Sequence, residues 1–149
     1  MAWEPHIFKD LHQIPREEHV FPGTPLCAGC GGLESLRLAS KTLGSHVVYV
    51  NAAGCFTDLA SFPCTPRDAS WRYTTMGSAS AGAQGVRDAL DVLIAKGRLP
   101  KEEDVKVVVV GGDGSTYDMA LSSTSGAITR KLDFYYMCYD NEAYGNTGV

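Results

Sequence analysis

The stretch "VVVVGGDGSTYDMA", Val107 to Ala120, decides the reading of this 149-residue chain. The run from Val105 to Val110, "VKVVVV", is almost wholly β-branched, the composition of a parallel strand buried on both faces. It ends in Gly-Gly-Asp-Gly. A glycine turn between a strand and a helix commonly receives a phosphate, because its free backbone N–H groups and the helix terminus are electropositive. Asp113, in the middle of the turn, repels a phosphate unless a cation lies between them. A P-loop needs a lysine that is missing here, and a dinucleotide fingerprint needs a third glycine where Tyr117 stands. Two readings remain: a diphosphate bridged by Mg²⁺ on Asp113, or a plain tight turn with a capping aspartate.

The metal reading demands a second oxygen ligand, since Mg²⁺ takes octahedral oxygen coordination. Ligands of parallel α/β sheets gather at the carboxyl ends of neighbouring strands. The next strand-like run, "DFYYMCY" from Asp133 to Tyr139, leads into "DNEAYGNTG" and offers Asp140 and Asn141 there.

Outward from this centre the sequence alternates. Leu33, Leu36, Ala39 and Leu43 recur at helical spacing from Gly32 to Thr42, with Gly44 as a stop. His46 to Val50 is a short buried-strand run, and residues 51–76 read as a long loop. Ser78 to Lys96 forms a helix with Ala79, Ala83, Val86, Leu90, Leu93 and Ile94 on one face, ended by Gly97. A weaker helix spans Tyr117 to Arg130. This order predicts an α/β fold with a three-stranded parallel sheet and right-handed crossovers. Residues 1–25 are expected to be an extended, proline-punctuated arm that lies against a partner. The last strand is left with an uncovered edge, so either a partner covers it or the chain is the front part of a longer protein.

Apolar residues make up 44% and charged residues 20% of the chain, an ordinary globular composition. The net charge of −4 and the lack of a basic stripe argue against a nucleic-acid partner. With no long apolar run and no signal-peptide pattern, the expectation is a cytoplasmic protein without a membrane partner. The five cysteines include Cys27 and Cys30 as C-x-x-C, more often a metal or redox pair than half a disulfide framework in such a chain. A half zinc site and two buried thiols stay open as alternatives. Cys138, mid-strand, is expected to be a small buried thiol, and Cys64 lies in the long loop. Arg67 and Arg72 are expected to be solvated loop charges, and Tyr135, Tyr136, Tyr139 and Tyr144 to be strand packing.

"CAGCG", "VNAAGC", "GGDGSTYDMAL" and "YDNEAYGNTG", in this order over Pro22 to Val149, resemble the β subunit of the 2-oxoacid:ferredoxin oxidoreductases, the pyruvate:ferredoxin oxidoreductase family. The resemblance implies a thiamine-diphosphate-binding α/β fold, with helices on both faces of a parallel sheet and an extended cysteine-bearing arm in front. It divides the chain into an arm (1–25) and a diphosphate-binding domain (26–149) that lacks its C-terminal part. It implies Mg²⁺ held by Asp113, the Asn141 side chain and the Ala143 carbonyl. Gly112, Gly114 and Ser115 would contact the diphosphate, Gly32 and Cys55 would lie near the cofactor, and Asn146 would serve catalysis near the thiazolium. Cys27, Cys30 and Cys55 would supply three thiolates to a [4Fe–4S] cluster, with the fourth ligand absent from this chain.

The implied activity is oxidative decarboxylation of a 2-oxo acid, pyruvate or similar, to acyl-CoA and CO2. The implied partners are an α subunit carrying the pyrimidine-binding domain, coenzyme A, ferredoxin and further iron–sulfur subunits. Two other readings stand beside it: a non-catalytic iron–sulfur or zinc module, and a cluster-free thiamine diphosphate decarboxylase or synthase.

Overall fold

The computed structural model describes residues 9–61 and 66–148. Its centre is the valine run. Strand β3 (Lys106–Gly112) pairs in parallel with β1 (Val47–Ala52) on one side and with β4 (Tyr135–Tyr139) on the other. A further strand, β2 (Ser70–Thr74), pairs in parallel with the far side of β1, so the sheet order is β2-β1-β3-β4. The three strands expected from sequence are therefore four. β2 lies inside the segment read as loop; its sequence "SWRYT" is mostly exposed and presents only Trp71 as a large apolar residue towards the core.

Helices cover both faces. Helix α1 (Gly31–Leu43) brings Leu36 onto Val47, Tyr49, Val108 and Val110, joined by Phe56 and Leu59 from the short 3-10 turn Cys55–Ala60. Helix α2 (Ala79–Ala95) brings Ala79 and Ala83 onto Val50, Ala52, Val107 and Val109. The alternate valines of β3 thus feed two cores, which is why the run has no polar alternation. Each buried valine contributes about 1.5–3 kcal/mol of transfer free energy.

The weak helix after the glycine turn divides in two. Gly114–Asp118 forms a π-helical turn, closed by Met119 N–H donating to the Gly114 carbonyl at 2.9 Å, and α3 follows as Leu121–Thr129. α3 packs beside α2 through the buried Ser80–Thr124 hydroxyl pair at 3.0 Å.

Part of the arm, from Pro15 to Phe21, is bonded to its own domain. Phe21 N–H donates to the Pro66 carbonyl at 2.9 Å, and His19 Nδ1 meets Asp68 at 2.8 Å. Glu18 joins Arg37 at 2.7 Å and Lys41 at 2.6 Å on α1. Hydrogen bonds from these two cations pull the Glu18 carboxyl down to about 2. Arg67, expected in solvent, is 7% exposed and stacks on the rings of Tyr49 (4.1 Å) and Trp71 (4.7 Å). It is a cation–π contact, and burial lowers the guanidinium pKa. Arg72 is exposed, as expected, but on strand β2 rather than in a loop. Cys64 and Val149 lie outside the described residues.

Candidate cofactor site

The strand order reverses between β1 and β3: β2 lies to one side of β1, β3 and β4 to the other. Open parallel sheets hold ligands at the carboxyl ends of the strands flanking such a reversal. A pocket opens there. One wall is Ala53, Gly54 and Cys55 after β1; another is Gly112, Asp113, Gly114 and Ser115 after β3; residues 139–147 after β4 close the third side.

Of the site residues expected from sequence, Cys55, Gly112, Asp113, Gly114, Ser115, Asn141, Ala143 and Asn146 all line this pocket. Gly32, Cys30 and Cys55 line a neighbouring cavity together with Cys138 and Tyr139. Cys27 is exposed and lines a third hollow, under the arm.

The turn is fixed from within. The Ser115 hydroxyl donates to the Gly112 carbonyl at 2.9 Å, and the Thr116 hydroxyl donates to the same oxygen at 2.6 Å. That carbonyl is satisfied by side chains. Tyr144 packs its ring on Gly114, where an added Cβ would come within 3.0 Å of the ring's Cζ, and its hydroxyl donates to Asp118.

Asn141 links the two loops. One terminal atom of its amide lies 2.8 Å from the Ala143 carbonyl oxygen and 3.0 Å from Asp113 Oδ1. With nitrogen at that place, the amide donates to both. With oxygen there, three oxygens of Asp113, Asn141 and Ala143 converge, an arrangement that a cation relieves. The donor set is all oxygen with one carboxylate, the chemistry that suits Mg²⁺ and not zinc.

The cysteines are less closely gathered. Burial pushes the Cys55 thiol pKa up, and the charges of Cys30 and Cys27 push it further, so the three lie within electrostatic reach. Among the described residues, however, no three His, Cys, Asp or Glu side chains are grouped so as to hold a metal ion.

Residues 52–149, well over half of the chain, match the family model described as "Thiamine pyrophosphate enzyme, C-terminal TPP binding domain". The chain belongs to the thiamine pyrophosphate enzyme family. Among curated relatives, a pyruvate synthase subunit PorB of Methanothermobacter thermautotrophicus is 44% identical over 138 residues, 92% of this chain and 46% of the relative. PorB of Methanocaldococcus jannaschii is 38% identical over the same share of both chains. A ketoisovalerate oxidoreductase subunit VorB of Pyrococcus furiosus is 36% identical over 146 residues, 97% of this chain and 46% of the relative. The chain spans about half the length of the curated relatives it matches.

Sequence reasoning missed Tyr139. Its ring stacks on Phe56 with centroids 4.4 Å apart, and it lines both the cofactor pocket and the cysteine cavity. Burial first, then the Cys55 charge, pushes its phenol up to about 12. The glycines were legible; that they face a tyrosine was not.

Proposed function

We propose that this chain is the thiamine diphosphate-binding part of a β subunit of a 2-oxoacid:ferredoxin oxidoreductase, acting on pyruvate or a similar 2-oxo acid. The observation that carries the reading is the meeting of the Asn141 amide with Asp113 Oδ1 and the Ala143 carbonyl oxygen beside the Gly112–Ser115 turn at the strand reversal. Family membership and relatives named as pyruvate synthase and ketoisovalerate oxidoreductase subunits support it.

In this reading Asp113, the Asn141 amide oxygen and the Ala143 carbonyl hold Mg²⁺. Gly112, Gly114 and Ser115 present the diphosphate face, and Asn146 lies beside the reacting end. Thiamine diphosphate, when bound, supplies the electron sink for loss of CO2 from the 2-oxo acid. The chain's own residues anchor and orient it, and the ring of Tyr144 shields the turn from water. A pyrimidine-binding domain on an α subunit completes the site, in keeping with the relatives' description as subunits. Coenzyme A and ferredoxin are the further reactants, with iron–sulfur subunits as electron carriers and the cytoplasm as location.

Cys27, Cys30 and Cys55 are three ligands of a [4Fe–4S] cluster in this proposal. Their present spacing does not fit a bound cluster, so no step is derived through it. The proposed division is an arm over 1–25, ahead of the cysteine turn, and a cofactor domain over 26–149.

The test is to purify the assembled protein anaerobically, measure its thiamine diphosphate content, and follow reduction of a viologen dye with pyruvate and with 3-methyl-2-oxobutanoate. Stoichiometric cofactor and 2-oxo-acid-dependent reduction support the proposal. A folded assembly that holds no thiamine diphosphate contradicts it.

A further inference from the structure

Three glycines from three separate segments face one side chain. A Cβ on Gly32, at the start of α1, would lie 3.5 Å from Tyr139 Cβ and 3.2 Å from Phe56 Cζ. A Cβ on Gly54, just before Cys55, would lie 2.8 Å from the Tyr139 hydroxyl oxygen. A Cβ on Gly112, at the end of β3, would lie 3.3 Å from Tyr139 Cε2 and 3.4 Å from Cζ. At Gly54 any larger residue forces a shift, and at Gly112 the neighbour must give way. Gly54 and Gly112 therefore make room for the phenol, and Gly32 for the Phe56 ring stacked on it and for the Tyr139 Cβ.

These segments carry the groups that the site needs in register. Gly32 follows Cys30, Gly54 precedes Cys55, and Gly112 precedes Asp113. Tyr139 itself ends β4, two residues ahead of Asn141. Its ring, stacked on Phe56, forms part of the wall between the cofactor pocket and the cavity lined by Cys30, Cys55 and Cys138. No other side chain among the described residues touches all three glycine positions.

We propose that Tyr139 is a positioning residue: its side chain, with the Cβ against Gly32 and the ring and hydroxyl against Gly112 and Gly54, holds the cysteine-bearing turns and the Gly-Asp-Gly turn at a fixed spacing and seals the wall between the two cavities. It acts through the backbones it touches, not on the reacting atoms. The proposal rests on the thiamine diphosphate reading only where cofactor affinity is the readout.

The experiment is amide hydrogen exchange on the intact protein without cofactor, for wild type, Tyr139→Phe and Tyr139→Leu, followed by calorimetric titration with thiamine diphosphate and Mg²⁺. In Tyr139→Leu, exchange at residues 54–57 and 112–116 rises by about tenfold or more, while Val107–Val110 stays within about threefold of wild type. Thiamine diphosphate affinity falls by about tenfold or more in Tyr139→Leu and by less than about threefold in Tyr139→Phe, which keeps the ring. If the leucine variant does not fold, Tyr139→Met takes its place in the same measurements.

Exchange that rises equally along β3 and at its tip would make Tyr139 an ordinary packing residue and overturn the proposal. So would unchanged exchange at both turns. A wild type that binds no thiamine diphosphate sinks the functional reading instead, and the exchange pattern still decides the role of Tyr139.

Discussion

The two halves of β3 stand side by side in sequence and differ in bulk and in what they pack against. Val107 to Val110 are each at most 2% exposed, and they divide between the α1 and α2 cores. From Gly111 onwards the strand carries no apolar side chain, its last carbonyl is bonded by hydroxyls, and the chain enters a π-helical turn beside a pocket. The first half uses bulk to exclude water. The second gives up bulk, and a ring from β4 approaches its backbone. Stability is concentrated in one half and, in the proposed function, recognition in the other, and substitutions should separate them.

The sharpest break is Val109→Asp. It places an unpaired carboxylate between β3 and α2, a change that destabilises by about 3–5 kcal/mol or prevents folding. Urea unfolding followed by circular dichroism checks it, and near-wild-type stability would contradict the buried position of Val109. Next is Gly54→Ala, which drives a Cβ to 2.8 Å from the Tyr139 hydroxyl and is expected to lower stability by about 1–3 kcal/mol. Because the contacted atom is the hydroxyl, Tyr139→Phe should recover part of that loss; a double-mutant cycle is expected to show coupling of about 1 kcal/mol.

Ser115→Ala removes one of two hydroxyls on the Gly112 carbonyl, and the remaining Thr116 bond holds the loss to about 1 kcal/mol. Its effect on thiamine diphosphate affinity should exceed its effect on unfolding, the reverse of a Val109→Ala change.

The smallest effect concerns the arm. Glu18 has its pKa lowered from 4.5 to about 2 by Arg37 and Lys41, so its contribution is complete above 4.5 and is lost as the pH falls towards 2. The pair is partly exposed, which keeps the effect small. Protection of the Phe21 amide should drop across that window in wild type and stay flat in Glu18→Gln; equal pH dependence in both would count against the ion pair.

Legibility from sequence followed the same division. β3 and α2 could be read because their apolar residues repeat without interruption and tertiary context agrees with local pattern. β2 could not, because an edge strand needs only one inward residue, Trp71, and "SWRYT" resembles the loop around it. The helix after the turn was read as continuous because no residue marks a π-helical closure; that closure arises from Gly114 and Met119 meeting in space. Arg67 was misread for a related reason: a charge in a proline-rich segment gives no sign of the Tyr49 and Trp71 rings that enclose it. At the pocket, Asp113 and Asn141 were legible through their chemistry and spacing. Tyr139 was not, since an aromatic in a strand is ordinary until three glycines are found packed on it.

The most direct measurement is calorimetric titration of thiamine diphosphate, with and without Mg²⁺, into the assembled protein carrying wild-type chain or Asp113→Ala. Binding to wild type that needs Mg²⁺ and weakens by about 100-fold or more in Asp113→Ala, in a variant whose unfolding midpoint is unchanged, is the expected result. Equal binding by both proteins, or binding indifferent to Mg²⁺, would contradict the cation bridge at the Gly-Asp-Gly turn.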